Sequence, residues 1–366
     1  MTSRERIVAV LQGDQVDRTP IAPFVYGNVV REWKKDSEAD VIGGTIDFCK
    51  HFSFDCILRN FSIRNDDFAM STDNWSVSKK EKFSGNIRTI ITKVQTPGGI
   101  LTQTGTFTQL SENQNVFALT EHMIKEPNDF ALIELYMPQP SQPDLTEARR
   151  ARNILREDGI TAPWIPSVFN YLSSWRALDD LVTDPITNPE LYGRMARYAE
   201  NRLKLALAPV FADVDMISYV GNIATGSMVG PKFFDVYVLP YEKSLVDFIQ
   251  ANCKGVIYHN CGDAANMIDC YNKLAPICYE SMTEPPFGDN SLEECMRRFS
   301  PDITLMGNID QVDFLRNATP EEVYSKARQL VEMSQKRGHF ILGTTDLLEE
   351  GTPHKNLHAL AQAVLP

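Results

Sequence analysis

At 366 residues, with 43% hydrophobic and 23% charged side chains, the chain can bury a large core and has the composition of an ordinary soluble globule. A formal net charge of −12 without any basic run excludes the electrostatic footprint of a nucleic-acid binder, since nothing is placed to displace phosphate counterions. No run of about 18 uninterrupted apolar residues exists, so no membrane span is expected, and the first six residues show no apolar leader. Seven cysteines, an odd number without framework spacing, point to reduced thiols in a cytoplasm. Of these, Cys49, Cys56, Cys253, Cys270, Cys278 and Cys295 sit among apolar neighbours or on helix-like patterns and read as packing residues.

Thr2 and Glu5 have capping-box spacing, Ile7, Val8, Val10 and Leu11 give a short helix its apolar face, and Gly13 stops it. Ile21 to Phe24 predicts a first strand, with Tyr26, Asn28 and Arg31 beyond its end. A helix over about 37–48 precedes a second strand over 51–58. From about 75 to 110 the pattern changes to alternation, as in Ile87–Val94 followed by Pro97-Gly98-Gly99. That is the signature of an antiparallel hairpin insertion, which either narrows a mouth or decorates an edge.

The second half alternates strand and helix. A long helix is expected from Pro189 to Leu207, and a strand from Val214 to Val220 ending at Gly221-Asn222. Gly230-Pro231 opens a helix that leads to the strand Gly255 to Asn260. Further strands end at Glu280, at Gly307-Asn308 and at Thr345-Asp346. Thr319-Pro320 with Glu322 marks a strong helix start. Polar residues after each strand are the pattern of an α/β protein folded as a (β/α)8 TIM barrel with its chemistry on the C-terminal face. The N-terminal helix is an extension and residues 75–110 an insertion of a single domain spanning 1–366. A doubly wound sheet is the runner-up fold. No G-x-G-x-x-G or G-x-x-x-x-G-K-[ST] supports a nucleotide site.

Strand ends then collect Asn222, His259, Cys261, Glu280, Asn308 and Asp346. His259 and Cys261 are two apart, so an extended chain points both the same way. An imidazole, a thiolate and a carboxylate suit Zn2+, and three protein ligands leave a position open for chemistry. Asp346 is the favoured third ligand, with Glu280 as its rival; spacing alone does not choose. His259, Cys261 and Glu280 are the candidate catalytic groups, and Tyr26, Tyr219, Asn222 and Asn308 the candidate substrate contacts. Trp164, Tyr171 and Trp175, also near expected strand ends, would suit an aromatic or apolar substrate or simply core packing.

Four short motifs in order carry a resemblance over nearly the whole chain. They are Arg4-Glu5-Arg6 through Asp17-Arg18-Thr19-Pro20, Tyr258-His259-Asn260-Cys261-Gly262-Asp263, Gly307-Asn308-Ile309-Asp310, and Gly351-Thr352-Pro353-His354-Lys355-Asn356. In these the chain resembles the uroporphyrinogen decarboxylase superfamily, and within it the cobamide-dependent methyltransferases. The resemblance implies a TIM barrel with zinc held by His-x-Cys and a distant cysteine. His259 and Cys261 match, whereas the distant cysteine falls on Asp346. A carboxylate there makes the ion harder, which suits polarising an oxygen better than activating a thiol. The decarboxylases carry an arginine-rich loop after the first strand, where residues 24–31 here hold Arg31 alone.

The implied function is zinc-dependent methyl transfer between a small methylated substrate (a methoxylated aromatic, methanol or methylamine) and the cobalt of a corrinoid protein. The reverse direction, from methyl-corrinoid to a thiol or a folate, uses the same residues. The corrinoid would arrive on a partner, and a homodimer is left open. The alternatives are a cofactor-free decarboxylase and a non-catalytic corrinoid-binding accessory protein.

Overall fold

A computed structural model of the chain describes residues 1–68, 70–252 and 255–365, which group into two compact units. Cys253 lies outside the described residues. The first unit comprises Met1–Ser62, Leu145–Ile165 and the chain from Phe211 to the C-terminal end; the second comprises Ile63–Asp144 and Pro166–Val210.

The first unit is a barrel. Strand β1 (Cys56–Leu58) precedes a four-strand excursion, β2 (Ser76–Ser84), β3 (Ile87–Thr96), β4 (Gly99–Gln109) and β5 (Asn115–Glu121), which belongs to the second unit. The chain then returns as β6 (Gly159–Thr161), parallel to β1, and β7 (Trp164–Pro166). From β7 a parallel sheet runs through β8 (Ile217–Val220), β9 (Val256–Asn260), β10 (Cys278–Ser281), β11 (Thr304–Ile309) and β12 (Phe340–Thr344). The ring closes through backbone hydrogen bonds: Asp55 N–H to Ile21 O (2.7 Å), Ala162 N–H to Leu58 O (2.9 Å) and Met216 N–H to Thr161 O (3.0 Å). Ile21 also bridges Leu342 of β12 in parallel. Eight staves result, the (β/α)8 arrangement expected.

The first stave departs from a regular strand. Ile21 and Phe24 make isolated bridges only, to Leu342 and Leu347. Pro20 and Pro23 flank them and have no N–H to continue a ladder. The expected helix over 37–48 is found at Val41–Phe52, because Phe48 and Phe52, one turn apart, pack at 4.7 Å and carry the helix on until Ser53 takes φ 61°. The strand expected from 51 therefore begins only at Cys56. Close approach of β1 and β6 requires Gly159, where a Cβ would lie 1.9 Å from Cys56 O.

The N-terminal helix Ser3–Gln12 has the anticipated capping box of Thr2 and Glu5, and Gly13 ends it at φ 78°. Its buried Ile7, Val10 and Leu11 join Ala22, Met216, Ile257, Cys278, Met306 and Ile341 in one core cluster, so the helix stoppers the barrel. Charge fastens it there. Arg6 Nη1 donates to Asp55 Oδ1 (2.5 Å), Arg18 Nη1 donates to Asp55 Oδ2 (2.8 Å), and Ile21 N–H donates to the same oxygen (2.9 Å).

The second unit holds the four-stranded antiparallel meander β2–β3–β4–β5, extending to Glu121 rather than stopping near 110. It also holds helices Pro127–Tyr136, Val168–Ser173, Leu178–Thr187 and Pro189–Leu207. Among the described residues no helix is long and apolar enough to cross a membrane.

Asp55 is completely buried and shared by two guanidinium groups. Asp55→Ala leaves Arg18 without its carboxylate and Arg6 with Asp17 alone, and urea unfolding is expected to show a loss of about 3 kcal/mol.

Candidate metal centre

Strand periodicity builds the site. Ala22, Ala162, Met216, Ile257, Cys278, Met306 and Ile341 belong to the barrel-core cluster, and Ile57 packs against it. Two residues on from each stand Phe24, Trp164, Ser218, His259, Glu280, Asn308, Gly343 and, after Ile57, Arg59. A step of two returns to the same face of a strand, so these residues form the next layer toward the C-terminal mouth. One polar constellation lies within it.

His259 Nδ1 is 3.0 Å from Glu280 Oε2 and 3.3 Å from Ser281 Oγ. Glu280 is bound on its other side by a bidentate Arg59, with Nη1 donating to Oε2 (2.8 Å) and Nη2 to Oε1 (2.7 Å). The guanidinium lies over the rings of Phe24 (4.9 Å) and Trp164 (4.7 Å). Both rings meet the imidazole at steep angles, at 6.0 and 5.4 Å. Burial alone would lower the imidazole's pKa, but hydrogen bonds to Cys261 and Glu280 and the nearby carboxylate charges raise it to about 10. Burial would likewise raise the Glu280 carboxyl, yet Arg59 and His259 outweigh it and hold it at about 2.

The far side of the imidazole faces two more donors. Atoms of His259, Cys261 and Asp346 lie within 4.8 Å of one another, and Nε2 is 4.0 Å from Asp346 Oδ2. Zinc bonds of about 2.0–2.3 Å in a tetrahedron set donors roughly 3.3–3.8 Å apart, so a modest closure would seat an ion. Asp346 can provide it, because its side chain is 32% exposed. One nitrogen, one sulfur and one oxygen, with a carboxylate behind the imidazole, form a donor set that fits zinc. Cys261 also stands apart chemically: the other described cysteines are all buried.

A family model for uroporphyrinogen decarboxylase (URO-D) matches residues 118–365. The chain belongs to the URO-D family. It is 27% identical over 184 residues to a methylated-thiol–coenzyme M methyltransferase of Methanosarcina mazei, covering 46% of this chain and 47% of that protein. It is 24% identical over 159 residues to a methylcobamide:CoM methyltransferase of Methanosarcina acetivorans, covering 43% of each. The chain thus spans about half the length of the curated relatives it matches. A solved methyltransferase from Methanosarcina mazei superposes with a TM-score of 0.72 at 12% identity, over 99% of this chain and 98% of that one, a likeness of fold.

Within this URO-D barrel the candidate residues separate. His259, Cys261 and Asp346 come together, while both oxygens of Glu280 are engaged by Arg59 and His259 on the side away from Asp346. Asn308 faces the interior, 2% exposed, its Nδ2 donating to Met282 O (3.4 Å) and its Oδ1 unpartnered. Tyr26 is 44% exposed and touches Phe24 edge-on at 6.0 Å. Asn222 is exposed just beyond β8.

Tyr219 is not brought to the mouth. Ser218 takes the inward place, so Tyr219 points outward and its hydroxyl meets Glu242 of helix Leu239–Asn252. Tyr171 lies on helix Val168–Ser173, donating to Asp67, with Trp175 packed against it at 4.6 Å; both are buried in the second unit rather than at strand ends. Arg59 and Phe24 were not singled out by sequence. Their signal is position: each lies two residues beyond an apolar residue of a stave.

The folded imidazole titrates above its ordinary 6.5, so its contribution to the metal-free protein is fully present below about pH 6.5 and lost as pH rises through about 10. Urea unfolding of chelator-treated protein should lose stability over that range, and His259→Gln should remove most of the slope.

Proposed function

We propose that the chain is a zinc-dependent methyltransferase that exchanges a methyl group between a small substrate held at the His259–Cys261–Asp346 cluster and the cobalt of a separate corrinoid protein. The observation that carries this reading is the cluster itself, three zinc-type donors at the C-terminal mouth of a URO-D barrel. The names of the methyltransferase relatives support the corrinoid and the methyl group.

A bound zinc ion would supply Lewis acidity toward the heteroatom bearing the methyl group. His259, Cys261 and Asp346 would hold it. Cys261 as thiolate and Asp346 as carboxylate offset a divalent charge, while Glu280 is already balanced by Arg59 and adds no net charge. Phe24 and Trp164 make an apolar wall beside the imidazole and restrict water there. Asn308 Oδ1, buried without a partner, offers an acceptor to a polar group of the substrate.

With a carboxylate in place of a second sulfur, the donor set favours an oxygen-borne methyl group, as in a methoxylated aromatic or methanol, over a thiol. Decarboxylation of a polyanion stands lower, since Arg31 is the sole arginine among residues 24–31.

Elemental analysis is expected to find about one zinc per chain, lost or much weakened in His259→Ala and Cys261→Ser. Zinc-free wild-type protein would argue for the decarboxylase or accessory readings. In transfer assays with a reduced corrinoid protein, Asp346→Cys should shift the ratio of thioether to methyl-ether turnover toward sulfur, by roughly tenfold or more.

A further inference from the structure

We propose that Arg59 is a positioning residue: by gripping both oxygens of Glu280 it determines which nitrogen of His259 faces the metal ligands. The inference rests on the metal reading above. Arg59 is 3% exposed and contributes no donor atom to the cluster, so a buried cation there calls for another account.

Its geometry provides one. Glu280 and His259 are direct register partners on adjacent strands β10 and β9, close enough to meet however the carboxylate is turned. A carboxylate bonded at one oxygen only can rotate about its last bond. The planar fork of Arg59 occupies Oε1 and Oε2 together, at 2.7 and 2.8 Å, and removes that freedom. The guanidinium is held in turn by Phe24 and Trp164, whose rings also abut the imidazole. Arg59 thus ties together side chains from the first stave, β7, β9 and β10. Held in this way, Glu280 presents Oε2 to Nδ1 as an acceptor, so Nδ1 keeps its hydrogen and Nε2, the nitrogen facing Asp346, is the one left to a metal ion. A lysine would supply the charge without the plane.

Cobalt(II) titration of chelator-stripped protein tests this, reading the thiolate-to-cobalt charge-transfer band and the ligand-field spectrum alongside a thermal melt. Wild type should bind with a thiolate band. Arg59→Lys should bind roughly 10- to 100-fold more weakly, with an altered ligand-field envelope and a melt close to wild type. Placed in a Glu280→Gln background, Arg59→Lys should cause no further loss, because it acts through that carboxylate. Should single replacements fail to fold, Arg59→Met with Glu280→Met exchanges the buried pair for apolar volume; it should fold and show the same loss. Wild-type affinity and spectrum in Arg59→Lys, or in the folded double variant, would overturn the positioning role alone. Wild-type protein without a thiolate band would overturn the metal reading, and the inference with it.

Discussion

The interior of this barrel is organised around one buried contact, the carboxylate of Glu280 held between Arg59 and the Nδ1 side of His259. Burying ions is expensive, and replacing a buried pair with apolar side chains is often neutral or stabilising. Stability is therefore a poor reason for such a pair to sit in a barrel interior. Geometry is a better one, since the pair gives an otherwise rotatable imidazole a single direction. What the barrel contributes is the register that places Glu280 beside His259 and the adjoining aromatic rings on which the guanidinium rests.

The layer structure of the interior explains how one fold supplies both a core and a site. Ile257, Cys278 and Met306 fill the lower layer; His259, Glu280 and Asn308, two steps along the same strands, stand above them. Below, the N-terminal helix closes the barrel with Ile7, Val10 and Leu11 and fastens itself through Asp55. The bottom is thus sealed by apolar area and buried ion pairs. His259, Cys261 and Asp346 meet at the top, where Asp346 remains partly exposed.

Particular residues show what local reading misses. Tyr219 and Ser218 are both adjacent to a strand end, and only the pleat decides that the serine faces inward while the tyrosine meets Glu242. Tyr171 reads as a strand-end aromatic after β7, yet the chain turns at once into helix Val168–Ser173 with Ser167 as its cap. The first stave looks continuous in its apolar residues, but two prolines reduce it to isolated bridges. Arg59, the cation bound to both oxygens of Glu280, follows a three-residue strand too short to display any periodicity.

The amino-acid order by itself determined the alternation of strand and helix, the capped helix starts at Thr2 and Thr319, and the pairing of His259 with Cys261, because each is encoded within a few residues. It also narrowed the candidate third metal ligand to two carboxylates. Which of them lies beside the donors, and which stands behind the imidazole, was decided only by the closed ring of strands. Glu280 and Asp346 are 21 and 87 positions from His259, and distances of that kind in sequence acquire meaning only when register and closure bring strand ends to one mouth.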